Sequence, residues 1–137
     1  MHKYRSLEAW KRAHAVLVLT LRLTDRAYHP RSRALFDQLR RAAISIEANV
    51  VEGYALGSPR QFARHLRIAV GSAAEAECLA RAAAELEYLP ATAAQEIESE
   101  LAITLKILYG LLLSIQRTAA RTATARPSPF SPLPRRP

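Results

Sequence analysis

Apolar side chains recur at alternating steps of three and four residues along four long segments of the chain. This spacing places side chains on one face of an α helix. A seam that continues through a whole segment indicates a helix packed along its full length. The four seams are Leu7, Trp10, His14, Leu17, Leu21, Thr24 and Tyr28; Leu35, Leu39, Ala42, Ala43, Ile46 and Val50; Phe62, Leu66, Ala69, Ala73, Ala76, Ala80 and Ala83; and Ile97, Leu101, Thr104, Leu108, Leu111 and Ile115.

Helix-breaking and helix-capping residues separate these segments. The runs Ser58-Pro59-Arg60-Gln61 and Thr92-Ala93-Ala94-Gln95 have the form of capping boxes, so they predict the starts of the third and fourth helices. Gly53 and Gly57 predict the end of the second helix. Proline breaks a helix interior, and three isolated prolines mark the boundaries. They are Pro30, Pro59 and Pro90.

Short links between long helices favour antiparallel neighbours. Segments of about 25 residues form rods of roughly 35 Å at 1.5 Å per residue. The pattern therefore predicts an all-α fold, an antiparallel up-down four-helix bundle that occupies residues 1–118. Residues 119–137 are rich in proline and arginine and have no apolar period, so we expect a disordered C-terminal tail there.

Composition supports this fold and indicates a compartment. The chain has 137 residues, only 7% of them aromatic, and 5 valines and 7 isoleucines, which favours helices over sheet. The single cysteine, Cys78, excludes a disulfide within the chain and indicates a reducing environment. The start of the chain has no apolar core of a secretory signal, and the apolar run 107–115 is far shorter than the roughly 20 residues of a membrane-spanning helix. We expect a cytoplasmic protein.

The net charge of +8 is a sum of three unlike parts. Residues 1–67 carry +8, residues 68–116 carry −5, and residues 117–137 carry +5. The first half of the predicted bundle is therefore basic and the second half acidic. Seventeen of the 20 basic residues are arginines, whose forked donors suit phosphate and carboxylate alike.

Five arginines form a candidate nucleic-acid surface. Arg60, Arg64 and Arg67 share one face of the third helix, while Arg40 and Arg41 stand together on the second. Such a surface could track the phosphates of RNA or DNA. Two alternatives stay open: a solvated face, or pairing with the acidic half across a subunit contact.

The residues predict no enzyme, no metal site and no cofactor. The four histidines have no HExxH pair or Cys/His spacing suited to zinc, and no glycine loop could cradle a phosphate. His14 lies on the first seam, where we expect a hydrogen-bonded structural histidine.

A polar stripe follows one face of the second helix beside its apolar seam. It is formed by Gln38, Arg41, Ser45, Asn49 and Glu52. The stripe is either exposed to solvent or part of a polar network at a subunit contact or around a central channel.

The fourth helix has a second apolar stripe beside its seam. Ile103, Ile107 and Leu111 form it. More apolar circumference than one seam needs is typical of a subunit contact, so the stripe favours a homo-oligomer. The alternative is a broad face wrapped by the three helices of the same chain.

The chain resembles the small four-helix-bundle proteins encoded in 23S rRNA intervening sequences. The resemblance covers about residues 4–115, and its most specific part is the second-helix run 38–46 with Asn49 and Glu52-Gly53. Its other elements are Leu7, Trp10, Ala13-His14, Ser58, Phe62, Leu66, Ile68-Ala69, Gly71-Ser72 and Ala74-Glu75-Ala76-Glu77. Two residues depart from the family pattern, since Glu47 stands where proline is usual and His65 replaces a common aromatic.

The resemblance implies a cytosolic, non-enzymatic bundle that assembles into a homopentamer. The family is similar to the accessory protein of diversity-generating retroelements, which binds nucleic acid through a basic surface. Carried over residue by residue, it singles out Arg40, Arg41, Ser45, Asn49, Glu52 and Gly53. The sequence thus predicts an oligomeric, non-catalytic accessory protein that binds RNA or DNA; the alternative is a structural self-assembly module without a nucleic-acid role.

Overall fold

The computed structural model describes residues 3–125, which form four α helices. They are α1 (Glu8–Arg26), α2 (Arg33–Ala55), α3 (Pro59–Glu85) and α4 (Ala91–Thr124). Short 3-10 turns at Lys3–Ser6 and Pro30–Ser32 precede α1 and α2. Within the described range there is no strand, so the predicted all-α fold is confirmed.

Each helix packs against two others around one core. The packed pairs are α1–α2, α2–α3, α3–α4 and α1–α4, as is consistent with the predicted up-down order. The largest fully buried side chains are Phe36, Leu39, Ile46, Leu66, Ile97, Leu101 and Leu108. No helix in residues 3–125 combines the length and apolarity that a membrane span requires.

The alanine row of α3 lies at the centre of this core. Ala69, Ala73, Ala76, Ala80 and Ala83 have no exposed surface, so the predicted seam is confirmed at these positions. Because alanine has only one side-chain carbon, α2 and α4 can approach α3 closely along the whole row.

The seam predicted for α1 is confirmed at Thr24 and wrong at most of its other positions. The buried residues of α1 are Ala9, Ala13, Val16, Thr20 and Thr24. The leucines at 17 and 21 are only half-buried, and His14 is exposed. The seam was chosen for its large side chains, whereas α1 packs through small ones that allow close helix approach.

The predicted helix ends are confirmed at Ser58 and wrong at two other positions. Ser58 caps α3, its hydroxyl accepting a hydrogen bond from the backbone N–H of Gln61 at 3.4 Å. α4 begins at Ala91 with no side-chain cap, so Thr92 is not its N-cap. Gly53 lies inside α2 and is buried. The α2–α3 turn instead uses Gly57, whose φ of +73° lies in the left-handed region that glycine adopts without strain.

α4 extends six residues beyond position 118, where the bundle was predicted to end. Residues 119–124 are therefore helical, which corrects the predicted start of the tail. Alanine and arginine are strong helix formers, which favours this extension. The threonine hydroxyls at 118, 122 and 124 are satisfied by main-chain carbonyls of the preceding turn. The remainder of the predicted tail, residues 126–137, lies outside the described residues.

Candidate nucleic-acid interface

Arg60, Arg64 and Arg67 form a row on the outer face of α3, opposite the buried alanines. All three are exposed, and none forms an ion pair with a carboxylate of residues 3–125. At 1.5 Å per residue, they are about 6 and 4.5 Å apart along the helix axis. They line one open depression together with Ser58 and Gln61.

The start of α3 adds to the positive potential of this row. Ser58 satisfies one backbone N–H of the first turn, and the amino-terminal end of a helix carries about half a positive charge. The helix dipole and the arginines therefore have the same sign at this place. The row can attract a polyanion and donate several hydrogen bonds to phosphate oxygens.

Arg40 has a different environment from this row. Its Nε donates to the hydroxyl of Thr24 at 2.9 Å, and its Nη2 lies 2.6 Å from the carboxylate of Asp25. The Arg40 side chain is only 23% exposed, and it links α2 to α1. We therefore leave Arg40 out of the candidate contact set. Its neighbour Arg41 is exposed and has no ion-pair partner among the described residues.

Three members of the polar stripe of α2 face α3 of the same chain. Gln38 donates to the carboxylate of Glu75, and the hydroxyls of Ser45 and Ser72 lie 2.8 Å apart. The Asn49 amide oxygen lies 2.9 Å from Nδ1 of His65. Neither alternative from the sequence included this arrangement. The stripe orients α3, and hence its arginine row, against α2.

Three members of the stripe are exposed. They are Gln38, Arg41 and Glu52, the last with a carboxylate 3.9 Å from Nδ1 of His65. His65 thus lies close to polar atoms of both Asn49 and Glu52. The three residues of α3 that pair with the stripe were not predicted from the sequence, because pairing between two helices cannot be inferred from the pattern of α2 alone.

The close approach of α2 and α3 depends on Gly53. A β carbon at this position would lie 2.7 Å from Cβ of His65 and 3.0 Å from Cδ2 of Phe62. Phe62 in turn packs edge to face on Tyr54, with 5.9 Å between the ring centroids. Gly53 therefore lets the two helices meet directly behind the arginine row.

Glu47 joins α2 to α1 through two hydrogen bonds. Its carboxylate accepts from Nε1 of Trp10 at 3.0 Å and lies 3.1 Å from Nδ1 of His14. The rings of Trp10 and His14 stack with 5.0 Å between centroids. The prediction that His14 is hydrogen-bonded is thus confirmed, although its side chain is 48% exposed.

Several acidic side chains have partners within the chain. Glu75 accepts from Gln38, while Glu77 and Glu98 lie 3.7 and 3.6 Å from the guanidinium of Arg81. The described residues contain no cluster of three or more His, Cys, Asp or Glu side chains that could hold a metal ion. The arginine row of α3, by contrast, has no carboxylate partner among residues 3–125.

Comparison with known proteins identifies the family. Residues 5–110 match the family model described as 23S rRNA-intervening sequence protein. No curated protein matches the chain. The distant similarity to the accessory protein of diversity-generating retroelements stays a prediction. Because the matched region includes all of α1, α2 and α3 and more than half of α4, the chain belongs to the 23S rRNA-intervening sequence protein family.

Proposed function

We propose that the protein is a non-catalytic accessory factor that binds RNA or DNA through the exposed arginines of α3. The observation that carries this proposal is the row of Arg60, Arg64 and Arg67, three exposed guanidinium groups without carboxylate partners in residues 3–125. Arg41 on the outer side of α2 adds a fourth exposed charge. The contacts are to phosphates, so binding is expected to depend little on base sequence.

The ion pairs of other arginines support the assignment of this row as a binding surface. Arg12, Arg33, Arg40 and Arg81 all lie within 4.0 Å of a carboxylate of the same chain. Arg60, Arg64 and Arg67 have no such partner among the described residues. Arg22 and Arg26 are also unpaired, but they lie near the carboxyl-terminal end of α1, whereas the row lies at the amino-terminal end of α3, where the helix dipole adds positive potential. This position favours an anionic partner outside the chain.

Replacing Arg64 and Arg67 by glutamine is expected to weaken binding to duplex RNA about tenfold at about 50 mM salt, since each arginine supplies one phosphate contact. The measurement is a fluorescence-anisotropy titration. The matched control is Arg22→Gln with Arg26→Gln, two exposed arginines near the end of α1 that remove the same charge elsewhere.

Equal weakening in both double variants would attribute binding to net charge and contradict the assigned surface. Absence of binding by the unaltered protein at low salt would contradict the proposed function itself. A helical circular-dichroism spectrum in every variant ensures that folded proteins are compared.

Self-assembly without nucleic acid is the second candidate function, and exposed apolar residues favour it. Ile44, Ile103, Tyr109 and Leu113 are 48, 40, 52 and 50% exposed. Of the stripe predicted on α4, Ile107 and Leu111 pack partly on the core, and Ile103 remains exposed. We propose a homo-oligomer, and the resemblance implies five copies.

Light scattering measures this assembly directly. The expected mass is about five times the 15.2 kDa of one chain. A monomer at micromolar concentration would contradict assembly. An oligomer that binds no nucleic acid would support the second candidate over the first.

A further inference from the structure

Positive charge is concentrated at one end of the bundle. This basic end consists of the start of α1 with the preceding turn, the end of α2, the start of α3 and the end of α4, in residues 3–12, 50–67 and 108–125. It contains nine basic and two acidic side chains, a net +7. The opposite end, residues 20–37 and 77–98, contains five basic and seven acidic side chains, a net −2.

The extension of α4 brings two further arginines to the basic end. Arg117 and Arg121 are exposed and four residues apart, so they share one face of the helix. Neither forms an ion pair with a described carboxylate. The sequence pattern had counted both arginines in the basic tail, which either adds non-specific affinity or has no role.

The last turns of α4 lie against the first turn of α3. Pro59, the first residue of α3, lines one depression together with residues of α4. The α4 residues are Thr118, Ala119, Thr122 and Ala123. Ile115 contributes to a neighbouring depression with Pro59 and Phe62. Arg117 and Arg121 therefore lie on a helix that borders the first turn of α3 at Pro59, although all side chains from residue 116 to residue 125 are exposed.

We infer that Arg117 and Arg121 on α4 form a second binding element that, together with the arginine row of α3, grips double-stranded nucleic acid at the basic end of the bundle. This inference rests on the proposed function and extends it to a second helix. The partner class is a duplex, recognised through its two phosphate backbones.

Geometry favours a duplex over a single strand. Packed helix axes lie about 8–10 Å apart, and both arginine sets are exposed, so α3 and α4 present two separate rows of positive charge. The two phosphate backbones of a duplex can meet two such rows at once. Tyr54 and Phe62 pack on each other beside the row, so base stacking, the main element of single-strand binding, is poorly supported there.

The helix dipole of α4 is negative near Arg117 and Arg121, but it is too small to cancel their positive charge. The carboxyl-terminal end of a helix carries about half a negative charge, whereas Arg117 and Arg121 together carry two positive charges. From Leu101 to Ala125 α4 contains no acidic residue. The local field therefore remains attractive for phosphate.

The test compares three double variants of the full chain against RNA probes over a salt series. The variants are R117Q/R121Q, R64Q/R67Q and the control R22Q/R26Q, and the probes are an RNA duplex of about 20 base pairs, roughly two helical turns, and a single strand of equal length. We expect R117Q/R121Q to lower duplex affinity about tenfold and to reduce the slope of log K against log salt by about 2, as R64Q/R67Q does.

The outcomes distinguish the second binding element, the proposed function and the assignment of a duplex as partner. If R64Q/R67Q weakens duplex binding and R117Q/R121Q behaves like the control, the second element is overturned and the proposed function stands. If no variant differs from the control, both are overturned. Tighter binding of the single strand, lost on replacing the exposed Tyr109 by alanine, would overturn the duplex assignment.

Discussion

Replacing Ala73 by leucine is expected to lower the free energy of unfolding by about 3 kcal/mol. Ala73 has no exposed surface and lies in the middle of the alanine row of α3. Leucine adds three carbon atoms where α2 and α4 approach α3, so the helices must separate or the side chain must adopt a strained rotamer. Urea denaturation followed by circular dichroism measures the loss.

The neighbouring position supplies the control for this substitution. Ala74 is exposed on the same helix, so Ala74→Leu is expected to change stability by no more than about 0.5 kcal/mol. Equal effects at the two positions would show that the alanine row is not the close-packed core described here.

Replacing Gly53 by alanine is expected to cost about 2 kcal/mol, although alanine is the better helix former by up to about 1 kcal/mol. The new β carbon would lie 2.7 Å from Cβ of His65. Because that atom is bonded directly to the α3 backbone, it cannot swing aside, and α2 and α3 must move apart. The hydrogen bond between Asn49 and His65 is lost with this movement, which a histidine side-chain NMR shift would detect.

Gly71→Ala is the matched control because the expected change in the free energy of unfolding has the opposite sign. Nothing lies within 4 Å of a β carbon at Gly71, which is exposed on α3. Only helix propensity remains there, so we expect a gain of about 0.5–1 kcal/mol. Destabilisation at Gly71 as large as at Gly53 would contradict the assigned close approach.

Much of the fold is predictable from periodicity because buried helix faces repeat with the helix itself. The seams of α2, α3 and α4 follow this rule at Leu39, Ala73 and Leu101, among others. The seam of α1 does not, since its core positions are small residues such as Ala13, while larger side chains lie on its flanks. Hydropathy values favour large apolar side chains as core candidates, whereas close packing of two helices favours small ones.

The candidate site is less predictable, since it depends on contacts between distant residues. Arg60, Arg64 and Arg67 are adjacent through helix geometry alone, so their spacing suffices. Arg40 lies 15 residues from Asp25, and nothing in the pattern indicates that the two pair. Arg121 was assigned to the tail because Thr, Ala and Arg repeats lack an apolar seam, yet a helix that projects past its neighbours needs none.

The direct test of the central claim, that the basic end binds nucleic acid through phosphates, is the salt dependence of duplex RNA binding by the unaltered protein. Three to five arginine contacts predict a slope of log K against log salt of about −3 to −5. A slope near zero, or no binding at about 50 mM salt, would contradict the claim.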